Sequence, residues 1–83
     1  MGSRIETVVR EFLRSELALD DSRIAPDTAL VTTGVLDSAG VVRLAAVLER
    51  ATGIIIPDRD VRKEHFDSIA RIEAYLATRG VQQ

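Results

Sequence analysis

Between residues 4 and 17, apolar side chains recur at Ile5, Val8, Val9, Phe12, Leu13 and Leu17, while Arg4, Glu6, Arg10, Glu11 and Arg14 fill the positions between them. Residues three and four apart share one side of a helix, so this spacing predicts a first helix with one buried face. The pattern then breaks. In "ALDDSRIAPDTALVTTGVL" the turn formers Asp20, Asp21, Pro26, Asp27, Thr32, Thr33 and Gly34 surround short apolar anchors at Ile24, Leu30, Val31, Val35 and Leu36. This reads as a long loop tacked onto a core, and loops of that length in small domains are more often functional than decorative.

Helical spacing returns from Ser38 to Ala51 and is broken after Thr52 by Gly53, a residue that readily takes the left-handed conformation of a helix end. The run "IIIPD" follows; Pro57 restricts Ile56 to extended geometry, and one apolar run without a partner strand reads as a core plug. "DRDVRKEHF" has room for a short helix or turn anchored by Val61 and Phe66. The last helix opens at Asp67 or Ser68, either a good N-cap, turns Ile69, Ile72, Tyr75 and Leu76 inward, and ends at Gly80. The expected fold is all-α, a four-helix bundle of three long helices and one short, with a long loop between helices 1 and 2. Residues 81–83 are expected to form a flexible tail.

Composition narrows the choice. The chain of 83 residues is 46% hydrophobic but 4% aromatic, which fits one small helical domain with a thin core. It contains no cysteine, which rules out disulfides, thiolate metal sites and a cysteine nucleophile, and makes an intracellular, cytoplasmic home the expectation. No apolar run is long enough to span a bilayer, and the N-terminus lacks a signal-peptide core, so membrane insertion is not expected. Met1–Ser3 is set aside as a candidate expression remnant. Net charge is −2, thirteen acids against ten arginines and one lysine, spread without a basic stripe or interleaved aromatics, which argues against a nucleic-acid reader.

The candidate chemistry centres on "GVLDSAGVV", residues 34–42. As an N-cap, Asp37 accepts from free N–H groups near Gly40, an arrangement worth typically ~1 kcal/mol. Ser38 then falls at the first helical position, its hydroxyl facing outward at a helix end whose partial positive charge suits an anion. Ala39 and Gly40 leave the approach open. Glycine inside a helix start costs up to ~1 kcal/mol against alanine, a cost easier to understand if something must come close. Taken alone, an Asp-Ser pair at a helix start is only a cap.

Other chemistries fare worse. A serine hydrolase needs a base, and the single histidine, His65, lies in a charged stretch expected to face water; no Gly-x-Ser-x-Gly elbow occurs. Asp58, Asp60 and Glu64 suggest calcium, but Arg62 and Lys63 stand where a calcium loop needs an oxygen ligand and a glycine. No metal site and no catalytic residue are therefore expected.

"GVLDSAGVVRLAAVLERATGIIIPD" resembles the heart of an acyl carrier protein, with Gly-x-x-x-Ser ahead of an amphipathic helix and "IPD" after its end. "EHFDSIARIEAYL" is similar to the closing segment of that family. The resemblance covers nearly the whole chain and implies a single carrier domain, residues 1–83, whose Ser38 receives 4'-phosphopantetheine from coenzyme A through a phosphopantetheinyl transferase. The arm would supply the thiol that the sequence lacks and hold an acyl or aminoacyl group as a thioester. The domain itself performs no chemistry.

The resemblance further implies docking through Leu36, Ala39, Val42, Arg43 and Ala46, and a core of Leu44, Leu48, Ile54, Ile56, Ile69 and Ile72. Implied partners are an acyl- or aminoacyl-activating ligase and downstream acyl-processing or transferring enzymes, met by a monomer. The chain departs from the fatty-acid pattern at Ala39, where leucine is usual, and in a second helix carrying Arg43 and Arg50 with Glu49 as its one acid. It is more similar to stand-alone carriers, such as D-alanyl carrier proteins and the discrete carriers of polyketide or peptide natural-product pathways. Typical peptide-synthetase carriers have His before the serine, where this chain has Asp37. An unmodified carrier-like docking module and a fatty-acid synthesis carrier remain the alternatives.

Overall fold

A computed structural model describes residues 3–81. Its helices are α1 (Arg4–Leu17), α2 (Ser38–Thr52), α3 (Lys63–Phe66) and α4 (Ile69–Thr78), with single 3-10 turns at Asp21–Arg23 and Asp58–Asp60. Three helices are long and one is short, as expected. Each end has a local cause. Ser3 caps α1, its hydroxyl accepting from the Glu6 N–H at 3.0 Å and donating to the Glu73 carboxylate of α4, so this residue belongs to the folded domain. The α2 helix stops at Gly53, which takes φ 74° and donates its N–H to the Glu49 carbonyl. Beyond α4, Gly80 at φ 90° lets the Val81 N–H reach the Leu76 carbonyl and its own N–H reach Ala77, closing the last turn. The expected tail at 81–83 falls largely outside the described residues, and Val81 itself packs against the core.

Helix α1 packs on both α2 and α4, and α3 packs on α4. Their facing residues, among them Ile5, Val9 and Leu13 of α1, Leu44 and Leu48 of α2, and Ile69, Ile72 and Leu76 of α4, are at most 1% exposed. Burying a side chain of this size stabilises by roughly 1.5–3 kcal/mol, so the thin core still outweighs any surface pairing. The plug after α2 is only partly as expected. Ile56 is buried, Ile54 is half-buried, and Ile55 is 78% exposed, because an extended segment turns successive side chains to opposite sides. Glu49 Oε2 accepts the Ile56 N–H at 2.7 Å and holds this segment against the end of α2.

The long loop is more ordered than its composition suggests. Ile24, Leu30 and Leu36 are buried in the core, and Val31 and Val35 are half-buried against it. The Ala70 N–H donates to the Pro26 carbonyl at 2.8 Å, and the Leu30 N–H to the Asp67 carbonyl at 2.7 Å. Asp67 is not the cap of α4, a role taken by Ser68, which accepts from the Arg71 N–H. Its carboxylate instead accepts from the Val31 N–H at 2.8 Å, the Thr32 N–H at 2.9 Å and the Thr32 hydroxyl at 2.6 Å. His65 is also not a free surface residue. It is half-buried with its ring 4.6 Å from that of Tyr75, whose hydroxyl donates to Asp60 at 2.7 Å.

Candidate functional site

Asp37 precedes α2 in extended geometry, φ −87° and ψ −178°, and its Oδ1 accepts the Gly40 N–H at 2.7 Å. Its carbonyl takes the Val41 N–H at 2.9 Å. Ser38 is the first residue of the helix and is exposed. Among the described residues its hydroxyl has no hydrogen-bond partner, since the capping work is done by its neighbour. An unengaged hydroxyl is thus left on an exposed residue at the positive end of a fifteen-residue helix.

The smallness of the next two residues has two separate reasons. Ala39 is exposed and leaves the hydroxyl open to approach. Gly40 is buried, and a Cβ there would stand 3.2 Å from Asp37 Oδ1 and 3.3 Å from Leu36 Cδ2. What comes close to Gly40 is therefore the chain's own loop and not an incoming molecule, which corrects the expectation for this residue. The same packing removes Leu36 from the docking set. At 1% exposure its side chain lies under the start of α2 and offers no surface to a partner.

The remaining docking candidates fall along one side of α2. Ala39 and Arg43 are exposed, Val42 is 59% exposed and Ala46 is half-buried. Arg43 reaches across to Glu16 of α1 at 3.3 Å, an exposed pair worth little in stability. Farther along, Arg50 is exposed. Glu49 turns back to hold the Ile56 N–H, so the acids beside these arginines come from α1: Glu16 pairs with Arg43, and Glu11 and Glu16 line a groove together with Arg50.

Two depressions flank this helix. An open groove of about 400 Å3 between α1 and α2 is lined by Val8, Phe12, Val47 and Arg50 and does not include Ser38. A smaller cleft of about 260 Å3 does include Ser38, together with Val31, Val41, Val42, Val61, Arg62 and Lys63. Sequence reasoning did not connect Arg62 and Lys63 with Ser38. They stand 24 and 25 positions away along the chain, and no spacing announces the cleft they share. Among the described residues no group of three His, Cys, Asp or Glu side chains converges as a metal-ligand set, and no helix is long and apolar enough to cross a membrane.

The site suits a covalently attached phosphopantetheine: an unengaged hydroxyl on a helix end, an unobstructed approach, and two cations beside it. A family profile described as "Phosphopantetheine attachment site" matches residues 7–76. That span runs from the second turn of α1 to within two residues of the end of α4, so the helices, the long loop and the serine lie inside it. Members carry covalent 4'-phosphopantetheine, act as carriers and not as catalysts, and meet phosphopantetheinyl transferases and acyl-processing enzymes. With more than half its length matched and a four-helix bundle to match, this chain belongs to the phosphopantetheine-binding carrier protein family.

Proposed function

We propose that Ser38 is the attachment point and that the protein is a stand-alone carrier of a small acyl or aminoacyl group. In the attachment, Ser38 Oγ forms a bond to the phosphorus that bears the pantetheine of coenzyme A. The pyrophosphate bond breaks, 3',5'-adenosine bisphosphate leaves, and the serine proton passes to solvent. The arm then supplies the thiol that a chain without cysteine lacks, and holds its cargo as a thioester. The observation that carries this reading is the Ser38 hydroxyl, on an exposed residue at the first position of α2 and without a partner among the described residues.

The reading extends to partners. Ala39, Val42, Arg43 and Ala46 form the docking side of α2, served by the transferase, a loading ligase and the enzymes that take the cargo on. Arg43 and Arg50 favour partners with acidic rims, because like charges penalise an enzyme built around a basic patch. That argues for a discrete carrier of a cytoplasmic polyketide or peptide-like natural-product pathway over fatty-acid synthesis. The packed residues behind Ser38 also favour a short cargo, since the cleft beside it is small. We take the free protein to be a monomer.

A second reading, an unmodified docking module, is favoured by the exposure of Val42, which serves a partner with or without an arm. Incubation with a broad-specificity transferase and coenzyme A separates the two. Intact mass should show one added arm on the wild type and none on Ser38→Ala. An unmodified wild type hands the function to the docking module.

A further inference from the structure

The cleft that contains Ser38 has two ionisable side chains in its lining, and both are cations. Arg62 faces Glu64 through two contacts of 3.3 Å, with both side chains more than half exposed, so its charge is only loosely compensated. Lys63 is the single lysine of the chain and makes no ion pair among the described residues. The nearest acid along the chain from Ser38, Asp37, has its Oδ1 committed to the Gly40 N–H. The rest of the lining is Val31, Val41, Val42 and Val61, an apolar surface that gives a nearby ion pair less competition from water. Sequence alone gives no reason for an unpaired lysine at this spot.

We propose that this cleft seats the near part of the arm: Lys63 and Arg62 hold its phosphodiester, and the methyl-bearing carbons that follow rest on Val42 and Val61. The proposal rests on attachment at Ser38. The occupant is argued from charge and reach, because the phosphodiester is carried by a residue that itself lines the cleft. Arg43 lies outside the lining of this cleft. The arm is thereby tilted toward α3, which leaves Ala39, Arg43 and Ala46 uncovered for a partner. Cargo is presented from the α3 side of α2, and the tilt weakens as salt rises.

The test compares apo and holo forms of the 15N-labelled wild type and of the double variant Arg62→Gln, Lys63→Gln. Both substitutions are on exposed side chains, and equal apo melting midpoints establish that the variant folds. Conversion of the wild type should move the amide resonances of Val61, Arg62 and Lys63 and raise the midpoint by about 2–4 °C in low salt. In the variant the resonance shifts should fall at least twofold and the gain should vanish. Shifts confined to residues 37–40, or an equal gain in the variant, overturn the proposal. So does a response that appears only when the arm bears succinyl and not butyryl, which assigns the cations to a cargo carboxylate. A chain that gains no arm by mass removes the attachment at Ser38 itself, and is thereby distinguished from failure of the cation contacts alone.

Discussion

Asp67, at the start of α4, holds Val31 in the loop before α2: its Oδ1 accepts the Val31 N–H at 2.8 Å across 36 positions of sequence. The same carboxylate takes the N–H and the hydroxyl of Thr32. The Thr32 hydroxyl foremost, with the N–H groups of Thr32, Val31 and Leu30, holds its pKa down at about 2, against the opposing effect of desolvation. The loop that delivers Leu36, Asp37 and Ser38 to the head of α2 is therefore fastened to the other end of the chain.

Replacing Asp67 by alanine strands the Val31 and Thr32 donors. The melting midpoint should fall by more than for any exposed ion-pair substitution, and amide exchange at residues 31–32 should quicken. Asp67→Asn keeps one acceptor oxygen and should fall between. The pH dependence has a definite sign. A carboxyl whose folded pKa is about 2, against an ordinary 3.8, contributes stability that is complete above pH 3.8 and lost as pH drops through 2. Urea titrations from pH 5 to pH 2 should show this decline in the wild type and a shallower one in Asp67→Asn; identical profiles would remove the role assigned to the carboxylate.

At the far end of α1, Ala18 sits at φ 51° and ψ 35°, the one non-glycine residue with positive φ among the described residues. An L residue there carries a cost of roughly 1–2 kcal/mol, which glycine avoids at an entropic expense of about 0.5–1 kcal/mol. Ala18→Gly should therefore stabilise by ~0.5 kcal/mol and raise the midpoint by about 3 °C, measured by calorimetry. A lower midpoint contradicts the assignment of that conformation.

The docking proposal is tested on rate. Exchanging Arg43 and Arg50 for glutamate should slow loading by the cognate ligase about tenfold at low salt, with the gap narrowing as salt screens the encounter. The Arg43 pair with Glu16 is exposed, so the fold should lose no more than ~1 kcal/mol with it. Loading kinetics that do not change, or a deficit that is the same at all salt concentrations, would count against charge-directed docking.

Much of this was legible in the chain. The 3.6-residue spacing marks α1 and α4, and Asp37 with Gly53 brackets α2 almost to the residue. The serine at the head of α2 follows from the same cap. What the chain does not announce is long-range. Leu36 reads as an apolar anchor of the loop, while the resemblance implies a docking role for it, and only its packing against Gly40 decides that it lies inside. Asp67 and Ser68 are equally good caps on paper, and the choice between them is made by a loop 36 positions away. His65 is polar and flanked by charges, yet it stacks on Tyr75 ten residues later because α3 folds back on α4. Arg62 and Lys63 line one cleft with Ser38 although they lie 24 and 25 positions away along the chain.

The claim on which the rest depends is that the arm is carried by one particular oxygen. Tryptic cleavage after Arg23 and Arg43 isolates residues 24–43, in which Thr28, Thr32, Thr33 and Ser38 are the hydroxyl-bearing residues. Fragmentation of that peptide from protein incubated with transferase and coenzyme A should place the whole added mass on Ser38. The arm found on any of the three threonines, or a peptide of unaltered mass, would contradict the account.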